Sequence, residues 1–181
     1  MPEYKNIEVT RDKKTVVAAL KAPLNAETVA ELAALIEELT PDKSAGALVI
    51  AGDFGGPAAT APDSEGIAAL CEAVEGFSRP VLAAITVSAQ GPGFELALAC
   101  DLRVSAETTR FGFPGTGGAP PERLAKLVGW ARAKHMALTA QVIDALEAER
   151  WGLLSHTSAE SEVASVAKKL AKSVASRASR K

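Results

Sequence analysis

Residues 79–103 read Arg79-Pro80-Val81-Leu82-Ala83-Ala84-Ile85-Thr86-Val87-Ser88-Ala89-Gln90-Gly91-Pro92-Gly93-Phe94-Glu95-Leu96-Ala97-Leu98-Ala99-Cys100-Asp101-Leu102-Arg103. Pro80 closes the approach to a continuous apolar run, Val81 to Thr86, of the kind that forms a strand buried on both faces. A glycine-containing turn, Gln90-Gly91-Pro92-Gly93, leads into a helical run from Phe94 to Ala99. Leu102-Arg103-Val104-Ser105 reads as the next strand. Strand, turn, helix and strand within so short a stretch indicate a layered α/β unit with a crossover helix.

The flanks continue the alternation. Residues 4–20 form two short strands around the polar turn Arg11-Asp12-Lys13-Lys14, a hairpin by pattern. Asn25 is positioned to cap a helix whose apolar stripe is Val29, Leu32, Leu35, Ile36 and Leu39. That helix stops at Thr40-Pro41-Asp42, and Ala47-Leu48-Val49-Ile50-Ala51 follows as a buried strand. After a loop of small residues, Asp63 or Ser64 can cap a second helix through Ile67, Leu70, Cys71, Val74 and Phe77. Beyond the central unit, a loop rich in glycine and proline runs from Gly112 to Pro121, and helical segments begin at Glu122.

Composition sets the outer limits. The chain has 181 residues, 48% apolar and only 4% aromatic, so its core is built from Val, Leu, Ile and Ala. A single domain of this size buries enough surface to need neither disulfides nor a structural metal. The division expected is a core over 1–160, followed by a C-terminal helix and basic tail over 161–181. A net charge of −2 gives no footprint for nucleic acid. The cluster Lys168, Lys169, Lys172, Arg177, Arg180 and Lys181 reads as the solvated face and end of a helix. Cys71 and Cys100 lie in apolar runs and read as small buried hydrophobes of a reducing compartment. No signal-peptide pattern and no membrane-length apolar run is present, so the expected location is the cytoplasm, without membrane partners.

The stretch from Arg79 to Arg103 closely resembles the signature of the crotonase (enoyl-CoA hydratase/isomerase) superfamily. There a K/R-P-V-I-A-A-V strand enters a three-glycine turn and then C-E-L-A-L-A-C-D. Flanking segments agree: Ala22-Pro23-Leu24-Asn25-Ala26, Leu48 to Gly52 with Phe54, and Phe111-Gly112-Phe113-Pro114. So do Arg123-Leu124 with Leu127-Val128-Gly129, and Arg150-Trp151-Gly152-Leu153-Leu154. The resemblance implies an α/β fold with a ββα spiral core, here with a truncated C-terminal helical region. It implies an acyl-CoA thioester as substrate, with coenzyme A as part of that substrate and no separate cofactor or metal. It also implies a homo-oligomer, a trimer or hexamer.

The family's chemistry stabilises an enolate-like oxyanion with two backbone N–H groups, assisted by one or two glutamates. Carried onto this chain, one donor falls at Ala58 or Ala59. The other falls at Pro92, and proline has no N–H to give. Losing one such donor costs on the order of 10²–10³ in rate where hydrolases have been measured. Glu95 matches the first family glutamate, a general acid or base; it is equally a glutamate favoured by the dipole at a helix N-terminus. Gly115 stands where a second glutamate is expected. Classical hydration, which uses two carboxylates, is disfavoured relative to a one-carboxylate proton shuttle. Phe94, Phe113 and Trp130 read as core or pocket wall, with Phe94 and Phe113 as candidates for the substrate pocket and Phe94 narrowing the site beside Glu95.

Two readings stay open on these residues, an enzyme of the hydratase/isomerase type and a non-catalytic homologue serving as a binding or assembly subunit. A third is a different thioester reaction, hydrolysis or decarboxylation, using remodelled loops. Weaker motifs add little. Gly115-Thr116-Gly117-Gly118 lacks the lysine and strand-to-helix setting of a phosphate loop. His135 and His156 have no ligand partners at useful spacing, His156 falling in a polar turn. Ser88 lacks a nucleophile motif.

Overall fold

The computed structural model describes residues 4–22, 24–55, 64–114 and 121–175. Ala58, Ala59 and Gly115 therefore lie outside the described residues, as does Asp63.

The hairpin forms as its pattern requires: β1 (Ile7–Asp12) pairs antiparallel with β2 (Thr15–Leu20), closing with Asp12 opposite Thr15. Lys13 in the turn has a φ of 57°. Helix α1 (Ala26–Leu39) starts at Asn25, whose side chain accepts from the Thr28 N–H at 2.9 Å, and buries its five-residue apolar stripe. Each of those side chains contributes roughly 1.5–3 kcal/mol relative to exposure. β3 (Ala47–Gly52), α2 (Ser64–Gly76), β4 (Val81–Ile85), β5 (Ser88–Gln90), α3 (Pro92–Ala99), β6 (Leu102–Ala106) and β7 (Arg110–Gly112) follow. The remainder is α4 (Glu122–Val128), α5 (Trp130–Thr139), β8 (Val142–Asp144), α6 (Ala145–Arg150), β9 (His156–Ser158), a 3-10 turn (Glu160–Glu162) and α7 (Val163–Val174).

Six strands make the main sheet in the order β1-β2-β3-β4-β6-β9, parallel from β2 onward. Because strand side chains alternate between faces, Leu48, Ile50, Val81, Ala83 and Ile85 enter one apolar cluster with α1 and α2. Val17, Ala47, Val49, Ala51, Leu82 and Ala84 enter a second cluster, closed by Val163, Ala167 and Ala171 of α7. Both faces are covered, which is why these strands read as unbroken apolar runs. α7 is fastened to the hairpin as well, through Lys172 Nζ and Asp12 Oδ2 at 2.6 Å.

A second, three-stranded sheet, β5-β7-β8, lies beside the first. It is absent from the sequence reading because its three-residue strands are too short to show a period. β9 corrects another expectation: His156 sits in an edge strand paired with β6, not in a turn. Trp130 is 57% exposed rather than part of the core.

The Cys100-Asp101-Leu102-Arg103 segment is structural. The Asp101 carboxylate accepts from the Val81 N–H at 2.7 Å and holds the start of β4. Buried Arg103 donates to the carbonyls of Cys100 (2.6 Å), Ala97 (3.2 Å) and Leu153 (2.6 Å), satisfying the C-terminal end of α3. The other end of α3 is fixed by close approach. A Cβ at Gly93 would fall 1.4 Å from the Phe54 carbonyl oxygen, whereas one at Gly91 would meet nothing within 4 Å.

Gly93→Ala is therefore expected to cost at least about 3 kcal/mol in urea unfolding. Gly91→Ala, strained only by its φ of 53°, should cost about 1–2 kcal/mol. Equal losses at the two positions would contradict the close packing of α3 on the Phe54 carbonyl.

Candidate active site

Glu95 lies in the first turn of α3, two residues after the packed Gly93. Its carboxylate lines a cavity of about 620 Å³. The wall is built from Ser64, Ile67, Ala68, Cys71 and Glu75 of α2, Gly91 with Pro92 and Glu95, Phe113, and Pro121, Glu122, Arg123 and Lys126 around α4. Glu95, Pro92 and Phe113 are thus brought together. Phe94 is not among the lining residues. It is fully buried, with its ring centroid 5.8 Å from that of Phe111 and 5.0 Å from that of Phe113. Neighbours on a helix diverge by about 100°, so Phe94 faces inward behind Phe113 while Glu95 faces the cavity.

Pro92 takes the first position of the helix, after Gly91. This suits proline, whose missing N–H is not needed there for the helix. The Gly91 carbonyl accepts from the N–H groups of Phe94 and Glu95 at 3.0 and 3.1 Å. The loop leaving β3 is anchored next to this turn. Asp53 Oδ1 accepts from the Gly55 N–H (2.9 Å) and from the Ser88 N–H (3.2 Å) and hydroxyl (2.9 Å). The Phe54 N–H donates to the Ser88 carbonyl at 2.9 Å. Ser88 serves as a clasp between that loop and β5.

Glu75 and Arg123, the charges nearest Glu95, were not read as site residues from the sequence, although Arg123 lies in a segment resembling the family. Arg123 donates through Nε and Nη2 to both carboxylate oxygens of Glu75, at 2.8 and 2.9 Å. Its Nη1 stands 3.8 Å from Glu95 Oε2. Burial pushes the Glu95 carboxyl above its ordinary range; Arg123 pulls it down and Glu75 pushes it up. The hydrogen bonds to Glu75 raise the Arg123 guanidinium, which stays charged. Cys71, buried in the cavity wall, has its thiol pushed up to about 12 by desolvation and is neutral. Signals existed: Glu75 follows Cys71 by one helical turn, and Arg123 adjoins buried Leu124.

Among the described residues, no group of three or more His, Cys, Asp or Glu side chains could hold a metal ion. No helix among them is long and apolar enough to cross a membrane. His135 is exposed on α5.

A sheet covered on both faces, a second small sheet, and a glycine turn delivering a half-buried carboxylate into a cavity define a crotonase-fold α/β protein. The chain belongs to the enoyl-CoA hydratase/isomerase family, whose sequence model matches residues 10–181. It is 33% identical over 178 residues to a probable enoyl-CoA hydratase of Mycobacterium bovis, an alignment covering 84% of this chain and 68% of the relative. Among solved structures, an enoyl-CoA hydratase from Bacillus anthracis superposes with a TM-score of 0.83 at 27% identity, covering 96% of this chain and 78% of that one. A monofunctional enoyl-CoA isomerase from M. smegmatis gives the same TM-score and identity, covering 97% and 87%.

The charge on Glu95 has a signed effect on stability. Its folded-state carboxyl holds a proton more tightly than in the unfolded chain, so stability falls as pH rises from the ordinary value of 4.5 through the raised one. Glu95→Gln is expected to melt at a higher temperature than wild type at neutral pH, and no higher below pH 4.5. A lower melting temperature at neutral pH would show that the Arg123 attraction outweighs burial.

Proposed function

We propose that the protein binds an acyl-CoA thioester in the Glu95 cavity and moves a proton on its acyl chain, shifting a double bond rather than adding water. The observation supporting this is the half-buried Glu95 carboxylate on the wall of a 620 Å³ cavity, with its proton affinity raised by burial. A carboxylate whose affinity lies nearer the working pH is a better base towards carbon and a better acid on the return. One such group can take a proton from the α carbon of a β,γ-unsaturated thioester and return it at the γ carbon. Hydration also needs water held and activated by a second carboxylate, and the family position for that group is Gly115 here. The transient enolate oxygen would draw on the N–H of Ala58 or Ala59, since Pro92 has none.

That same proline favours the second reading, a non-catalytic homologue that binds or assembles with partners. Self-association into a trimer or hexamer is compatible with both readings. Trp130, Leu138 and Leu146 are large apolar side chains left 57%, 70% and 55% exposed.

The test is mass-spectrometric turnover of a panel of 2-enoyl-, 3-enoyl- and saturated acyl-CoA thioesters, with Glu95→Gln in parallel. We expect interconversion of 2- and 3-enoyl thioesters, reduced by on the order of 10²–10⁴ in the Gln variant. Absence of turnover by folded protein that still binds the thioesters would select the non-catalytic reading. Hydrated product would overturn the preference for isomerisation.

A further inference from the structure

Resting on the reading of Glu95 as the acid–base group, we infer that Glu75 is a positioning residue whose task is to hold the Arg123 guanidinium away from Glu95. Three helices meet here: α2 brings Glu75, α3 brings Glu95 and α4 brings Arg123. The two-point contact with Glu75 occupies Nε and Nη2 of Arg123 and fixes the plane of its fork. Only Nη1 is left on the side of Glu95, and its 3.8 Å separation exceeds hydrogen-bond distance.

The arrangement matters because a cation can serve a proton-transferring carboxylate or disable it. An arginine closed onto a carboxylate holds it ionised and makes it a weak base. An arginine kept one step back still offsets the negative charge in a half-buried site without taking the lone pairs needed for the proton. Glu75 imposes the second state by engaging the fork first. The result agrees with the direction of the Glu95 shift, where burial prevails over the nearby cation.

The other charged or titratable groups on the described cavity wall do not reproduce this effect. Cys71 on α2 is neutral, and Glu122 and Lys126 on α4 pair with each other at 3.0 Å while about 70% exposed. Glu75 and Arg123 are therefore the described charges that set the field at Glu95, and they act on it with opposite signs.

Removing the two partners of this one ion pair should accordingly move Glu95 in opposite directions. In Glu75→Gln the freed guanidinium closes on Glu95, and its titration moves to lower pH by about one pH unit. In Arg123→Gln, Glu75 faces Glu95 without compensation, and the titration moves to higher pH by about one pH unit. The double variant E75Q/R123Q leaves neither charge and should titrate between the two, giving a check in which neither partner of the ion pair is left without the other.

The measurement is carboxyl ¹³C NMR titration of glutamate-labelled protein, with the Glu95 signal assigned by its loss in Glu95→Gln. It needs no turnover, so it separates failure of this inference from failure of the proposed function. Where isomerisation is detected, the acidic limb of its pH profile should move with the NMR titration. Shifts of the same sign in the two single variants, or no shift in either, would overturn the assignment of Glu75; so would a crystal structure of Glu75→Gln in which Arg123 Nη1 stays beyond hydrogen-bond distance of Glu95, because loss of the Glu75 charge alone already lowers the titration.

Discussion

The structure depends on a contact that has no side chain in it, the approach of the Gly93 backbone to the carbonyl of Phe54. This contact lets the first turn of α3 pass across the loop that leaves β3. Everything at the site follows from that crossing. It places Pro92 at the cavity wall, turns Phe94 inward onto Phe111 and Phe113, and turns Glu95 outward into the cavity. The far end of the helix is held with equal firmness by Arg103, so the carboxylate is carried on a short rod fixed at both ends. The Glu95 position is thus supported by packing and backbone satisfaction before any electrostatics enter.

Electrostatics then give that position its character. A glutamate at the head of a helix in water would simply be ionised. Burial opposes ionisation here, and a cation anchored elsewhere offsets only part of that opposition. The departure at Pro92 lies on the same few residues. Proline at the first helical position is favourable to the helix and presents no N–H to the cavity it lines.

Much of the fold was legible because its central strands are apolar on both faces and bounded by proline or glycine. Val81 to Thr86 and Ala47 to Ala51 read as buried strands, and they form β4 (Val81–Ile85) and β3 (Ala47–Gly52). The α1 stripe and its Asn25 cap were legible for the same kind of reason, a period and a cap in register. The three-residue strands β5, β7, β8 and β9 were not, since pairing defines them and pairing partners are distant in sequence. Glu95 could be placed by an ungapped match of neighbouring residues. Glu75 and Arg123 could not be joined in that way: they are 48 residues apart, and only the packing of α2, α3 and α4 makes them neighbours. Trp130 shows the converse failure, because an aromatic residue on an amphipathic helix is assigned to the interior by habit while the fold leaves it outside.

The second apolar cluster carries a consequence for how the molecule is assembled. β2, β3 and β4 can pair with one another early, yet the face they present in Val17, Val49, Leu82 and Ala84 has no cover until α7 arrives from far along the chain. Until that docking occurs, the growing sheet offers water a flat, aliphatic surface, the kind of intermediate that chaperones bind and that aggregates when concentrated. Closing so long a loop is entropically slow and brings its reward only at the end. The two-sided sheet that makes the native state compact thus ties its folding to the arrival of a helix remote from the Glu95 cavity.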